Sequence, residues 1–387
     1  MPSWIAVDMG TGRLIADLPG LVVQRVGSVL GAYTSTSAEL PLPGAPENWE
    51  RAVLEGAAVL VLVDDEQRPL WGGSVLRTER GLGDTVKVDL ASLEAYLDRC
   101  YVGDVTFTGV SQTQIVADLI DAFVNDGSIE IRVEAAVSTT LRDRTYKRSQ
   151  DKTIYSVLTE LSGVQGGPEW TVGWEWQHSP ERITPVLRVA DRIGSGVAPG
   201  FGPGATFEAP GPVRDVRYVR DYGSGKGANR VLAVSTAAAD VRPESTPAEA
   251  AVSERPTFEY RFTPSTSITQ TETLDGHAQR ALALMQDGAV SLTLVVDAGA
   301  GPRLGVDWGI GDDIGYRIGD SWTDVEGLFP GDDVFPGEGT LPELPSTRKR
   351  FTVPGFPDGL SGVARCIGWE MNLSEPVTVE PILSGVV

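Results

Sequence analysis

Three tryptophans fall within seven residues in the stretch GGPEWTVGWEW, at Trp170, Trp174 and Trp176. Spacings of four and two place all three on one face of an extended strand, because side chains alternate with a period of two. A face that carries three indoles needs a large apolar partner. The segment 149–162 just upstream ends at Gly163 and offers one, with Ile154, Tyr155, Val157, Leu158 and Leu161 at helical spacing over 152–161. The expected unit is a helix that stops at glycine, passes Gly166 and Gly167, and packs on a tryptophan strand. A packed core explains the three indoles better than a sugar-binding platform, because the matching apolar face is next door.

The rest of the chain reads as many short strands joined by glycine turns. Strands are expected at 4–9 and 13–18 around Gly10-Thr11-Gly12, then at 21–30, 35–40, 57–63, 69–77 and 85–90. Within 69–77, Gly72-Gly73 beside Trp71 marks a bulge or a close backbone approach. Short helices are expected at 48–54 and 91–99. The middle region changes character: Ser111 caps a helix over 112–124, and extended segments follow at 129–133 and 144–146. The tryptophan strand then pairs with 183–189 through a hairpin. Further strands are expected at 213–221, 229–234, 257–262 and 290–296, a third helix at 273–286, and closing strands at 349–353 and 364–373. The Gly/Pro-rich 194–204 reads as an interdomain loop, and 237–253 as a surface loop or mobile arm. WGGSVLRTERG near one end and RCIGWEMNL near the other both set Trp and Gly inside a strand. The fold class is α+β and β-rich.

Charge narrows the function. With 53 acidic and 32 basic side chains, a formal net charge of -21, the surface repels phosphate backbones, so sequence-specific nucleic-acid binding is not expected. The two cysteines, Cys100 and Cys366, are too few for a disulfide framework. The first residues, MPSWIAVDMGTG, do not read as a secretory signal, and the longest apolar run, 57–63, has strand length, so no membrane-spanning segment is expected.

Catalytic signatures are missing in turn. His178 and His277 are the only histidines, so any histidine triad or metal cluster must use one of them. GSGKG at 223–227 resembles a phosphate loop but has the wrong spacing and no Ser or Thr after its lysine, so a hairpin turn is expected. The acidic turns Gly311-Asp312-Asp313 and Gly331-Asp332-Asp333 lack the late glutamate of a calcium loop. No enzyme, cofactor or metal site is expected. Carboxylate pairs drawn from distant segments leave open an alternative: a protein that degrades or binds cell-wall polysaccharide.

Four ordered blocks carry a family resemblance: WIAVDMGTGRLIADLPG; ELPLPGAPENWERAVLEGAAVLVL followed by PLWGGSVL; RTYKRSQDKTIYSVLTELSGVQGGPEWTVGWEW; and DVRYVRDYGSGKGANRVLAVS. Together they resemble the minor tail proteins of long-tailed actinobacterial phages, a family similar to the baseplate hub at the tail tip. The resemblance implies two β-barrel-like hub domains with α+β domains between and beside them. The expected boundaries are a first barrel at 1–99, an α+β domain at 100–205, a second barrel from 206–256 and 300–387, and a helix–strand insertion at 257–299. It implies a homotrimeric ring at the tail tip of the virion, assembled in the host cytoplasm. Its expected partners are the distal tail protein, the tape-measure protein and fibre proteins, with DNA only in transit. An acidic channel wall would let DNA slide past, and the candidate channel-facing residues are Asp312, Asp313, Asp332 and Asp333.

Overall fold

The computed structural model of the chain describes residues 2–125, 129–164, 166–178, 181–198, 200–236, 242–250, 255–264, 268–319, 321–324 and 348–385. By internal contacts the chain divides into two units, one of Met1–Asp215 with Leu294–Gly385 and one of Val216–Thr293. The protein is β-rich, and one of its sheets curls into a half-barrel.

The larger unit opens with a seven-stranded sheet whose neighbours all run antiparallel. Its order is Leu14–Asp17, Ser3–Asp8, Ala58–Val63, Pro69–Glu79, Thr85–Ser92, Ser35–Pro41, Val22–Val23. Ala58–Val63 is buried at all six positions, as its unbroken apolar run requires of a strand covered on both faces. The expected strand over 21–30 is split. Val22–Val23 pairs with Glu39 and Ala38 in the first sheet, whereas Arg25–Val29 crosses to a second sheet and pairs with Gly368–Asn372. The switch falls at Gln24, whose carbonyl accepts the Leu373 amide at 2.9 Å.

In the second sheet, Ala205–Ala209 runs parallel to Asp313–Ile318, which pairs with the first half of Leu360–Asn372. The second half of Leu360–Asn372 takes up Arg25–Val29 on one side. Thr378–Ser384 lies antiparallel to Leu360–Asn372, and Val296 and Asp297 pair with Val379 and Thr378. The strands at 205–209, 313–318 and 378–384 were not expected from sequence.

Between the sheets in sequence lies an α+β layer. Helices Gln112–Phe123 and Ile154–Ser162 bury Ile115, Val116, Leu119, Ile120, Val157, Leu158 and Leu161 in one cluster with Trp170, Val172, Leu187 and Val189. The latter four come from the hairpin Glu169–His178 and Glu181–Ala190, to which Arg132–Ala135 adds in parallel. Thr153 caps the second helix by accepting the Ser156 amide at 3.1 Å. Ser111 sits at the N-cap of the first, but its hydroxyl meets the Thr113 hydroxyl instead of a backbone amide. The expected helix at 91–99 is a 3-10 helix, Leu93–Arg99.

The smaller unit packs helix Thr271–Met285 on a three-stranded sheet of Ala248–Glu249, Arg230–Ala233 and Glu259–Phe262. Leu274, Ala278, Leu282 and Met285 meet Ala228, Val231, Ala233 and Ala248. The expected loop at 237–253 therefore contributes a short strand through 248–249, and much of the remainder lies outside the described residues.

Candidate functional site

The three tryptophans share a strand face but have different partners. Trp170 is 1% exposed, with its ring edge-on to Tyr155 at 5.9 Å in the helix-covered core. Trp174 belongs half to that core and half to the cluster of Ile5, Val7, Val59, Val61, Val63 and Ile183. Trp176 packs on the second cluster. The helix therefore covers one end of the indole row and the first sheet covers the other. A ten-residue strand is longer than the nine-residue helix can shield at 1.5 Å per residue.

The glycines explain the close approach. A Cβ at Gly72 would stand 2.5 Å from the Trp174 indole, and one at Gly73 would stand 2.3 Å from the Trp71 ring. Gly72-Gly73 is thus a seat for two indoles, and register shifts flank it in that strand, one between Pro69 and Trp71 and one between Val75 and Arg77. Trp71 is 3% exposed and meets Trp4 edge-on at 6.0 Å. Gly167 lies where a Cβ would come within 2.4 Å of the Leu161 carbonyl, and Gly166, at φ +66°, takes a backbone conformation that favours glycine. Its carbonyl accepts from Gln112 Nε2 at 3.0 Å.

Two carboxylates of this region went unnoticed in the sequence. Glu94, 2% exposed, lies at the start of the 3-10 helix, and its Oε1 accepts the Val172 amide at 3.3 Å. Burial pushes its carboxyl up to about 7, against smaller opposing hydrogen bonds from Ser92 and two backbone amides. Glu169 begins the tryptophan strand and is gripped by Arg365 through two hydrogen bonds of 2.7 and 2.5 Å. Burial alone would raise it, but the Arg365 bonds, the Ile193 amide and the guanidinium charge together hold it below the usual carboxylate value. Arg365 also donates to the carbonyls of Ile193 and Gly311, so it ties the second sheet to the tryptophan hairpin. The sequence signal for this pair is faint: a lone arginine in an apolar strand, 196 residues from its partner.

Asp312 and Asp313 serve the chain itself. Asp312 accepts the amides of Ser195 at 2.6 Å and Gly309 at 2.8 Å, and Asp313 pairs with Arg192 at 2.6 Å and accepts the Val197 amide at 3.0 Å. Asp332 and Asp333 lie outside the described residues. In GSGKG, the Asp221 carboxylate accepts from the Gly223 amide at 2.9 Å and pairs with Lys226 at 2.5 Å. A carboxylate in that turn repels phosphate, and the turn links strands that belong to different sheets, so it is not the expected hairpin. His277 is exposed on its helix. Among the described residues no group of three or more His, Cys, Asp or Glu side chains is placed to hold a metal ion, and no helix is long and apolar enough to cross a membrane.

The geometry is that of a framework: indoles in glycine seats, a guanidinium clamp, and a strand passed between sheets. No family model matches the chain, and no curated protein matches its sequence. Its fold is similar to that of solved structures. A tail protein from Neisseria meningitidis matches 99% of this chain and 96% of its own at 12% identity, with a TM-score of 0.52. The 43 kDa tail protein of prophage MuSo2 from Shewanella oneidensis matches 99% of this chain and 98% of its own at 11% identity, with a TM-score of 0.53. The chain therefore shares, end to end, a fold found in phage-type tail proteins.

Proposed function

We propose that this chain is a structural hub subunit of a phage tail tip, related to the minor tail proteins of long-tailed actinobacterial phages. Three copies form a ring around the channel through which DNA leaves the virion, and neighbouring tail proteins attach to that ring. The observation that carries this reading is the whole-chain likeness to two tail proteins, with almost nothing left over on either side. In this reading the barrel-like parts are built on the first sheet, within the expected 1–99, and on the second sheet centred on Leu360–Asn372, and the two alternate around the channel. The exchanged strand Arg25–Val29 supports it, because it couples the two sheets that must keep a fixed geometry in a ring. The chain works through shape rather than chemistry at a pocket.

The net charge of -21 fits a channel wall that does not hold DNA. Asp312 and Asp313 are engaged within the chain, so the wall draws on other carboxylates as well. Light scattering on the purified protein tests the ring: a mass three times the 41.2 kDa chain supports it, and a monomer at every concentration removes it. A ring whose lumen is neutral or basic removes the channel argument.

A further inference from the structure

We infer that the groove beside Trp174 and Trp176 is a docking site for an extended, lysine- or arginine-bearing segment of a partner protein. Most of its lining comes from Leu14 and Asp17, the turn Glu66–Pro69, and the hairpin residues Trp174, Glu175, Trp176 and Glu181, with Ile5 and Gly305 completing it. Its volume of about 720 Å³ lies within the range of clefts that hold a short ligand segment. Polar and apolar side chains share the lining, and Leu14 is 51% exposed, a side chain that the fold leaves uncovered.

The rim decides the occupant. Asp17, Glu66, Glu175 and Glu181 face the groove against a single basic lining residue, Arg68. Glu66 is held by Arg68 and Arg303, and Glu175 by Arg132 and Arg188. Asp17 and Glu181 form no ion pair or side-chain hydrogen bond among the described residues. Of the lining donors, Trp176 Nε1 donates to the Gln67 carbonyl at 2.6 Å and Arg68 is bound to Asp64 and Glu66, which leaves the Trp174 indole N–H and the Gln67 side-chain amide. Among the described residues, the only unpaired formal charges in the lining are the two carboxylates of Asp17 and Glu181, beside indole surface, so the matching ligand brings positive charge. The site is also rigid before binding, because Trp174 is seated on Gly72 and Trp176 is tied to a turn whose Gln67 has φ +62°. The groove's chemistry stands by itself; that the segment belongs to another tail protein rests on the hub reading.

The test uses the full chain and a fluorescein-labelled hexa-arginine peptide, followed by anisotropy at 0.15 M salt. The double variant Asp17→Lys/Glu181→Lys should weaken binding by about tenfold or more, as expected for reversing two facing charges. A matched variant outside the groove, Asp358→Lys/Glu375→Lys, should stay within about twofold, which separates the site from diffuse attraction to an acidic protein. Equal losses in the two variants, or no loss in the first, overturn the proposal. So does a hexamer of N-acetylglucosamine that shifts tryptophan emission and displaces the peptide. Both variants change exposed side chains, and unaltered melting confirms their fold. Peptide binding by a protein that stays monomeric sinks the hub and keeps the groove; a trimer without specific binding does the reverse.

Discussion

The two large sheets of the main unit are built around similar strands but recruited in different ways. Each has an internal strand with a buried tryptophan and a glycine, Trp71 with Gly72 in one and Trp369 with Gly368 in the other, at 3% and 4% exposure for the indoles. The first sheet draws every strand from residues 3–92. The second takes Arg25–Val29 from the heart of the first sheet's sequence and combines it with strands from 205 onwards. The first sheet is thus closed in sequence, and the second depends on it. Such long-range pairing forms late, because loop closure must precede the contacts that reward it.

The largest effects should expose this dependence. Trp71→Ala and Trp369→Ala each remove a buried indole and should cost about 3–5 kcal/mol. Hydrogen exchange should then differ: Trp71→Ala speeds exchange in both Ala58–Val63 and Leu360–Asn372, whereas Trp369→Ala speeds it in Leu360–Asn372 and leaves Ala58–Val63 protected. Equal loss in both segments for both variants would break the comparison. A smaller effect comes from Gly27, where a Cβ would stand 2.8 Å from the Trp369 carbonyl. Gly27→Val should cost about 2–3 kcal/mol through overpacking, read by denaturant melts, and its exchange signature should match that of Trp369→Ala.

The buried Glu94 and the half-buried Glu169 sharpen the picture through pH. Glu94 has a raised folded pKa of about 7, so the stability it contributes is present below about pH 4.5 and lost as pH rises through 7. Glu94→Gln should therefore raise stability at pH 8 by at most about 3 kcal/mol and give no gain at pH 4, measured by melts at the two pH values. Glu169 is shifted the other way, so its contribution is present above the ordinary carboxylate range and lost as pH falls through its lowered folded value. Glu169→Gln should cost about 1–2 kcal/mol at neutral pH and progressively less in acid. A loss that persists undiminished in acid would mean that Arg365 is held by its carbonyl partners alone.

Most elements of the first sheet were legible, because apolar runs and alternation between glycine turns report burial locally. The tryptophan hairpin and its two helices were legible for the same reason. The split of 21–30 was not, since the alternation continues through Gln24 and the change of sheet is set by a partner some 340 residues away. The strand at 313–318 carries readable alternation in Ile314, Tyr316 and Ile318, but the acidic turns around it and Gly315 within it masked the signal. That glycine is there for contact: a Cβ would stand 2.7 Å from Thr206 and Pro203. Pro381 had the same masking effect on 378–384. In the site, the shared face of the indoles followed from spacing alone, but their division between two clusters did not. The clamp between Glu169 and Arg365 and the burial of Glu94 are properties of packing that a charge count hides.

The central claim is that this chain acts as a ring whose two barrel-like parts alternate around a channel. Electron cryo-microscopy of the protein in an assembled tail tip tests it most directly. The account predicts a threefold ring in which the sheet containing Ala58–Val63 and the sheet containing Leu360–Asn372 alternate around an acidic lumen. A peripheral density, away from the tail axis or bound as single copies, would contradict it.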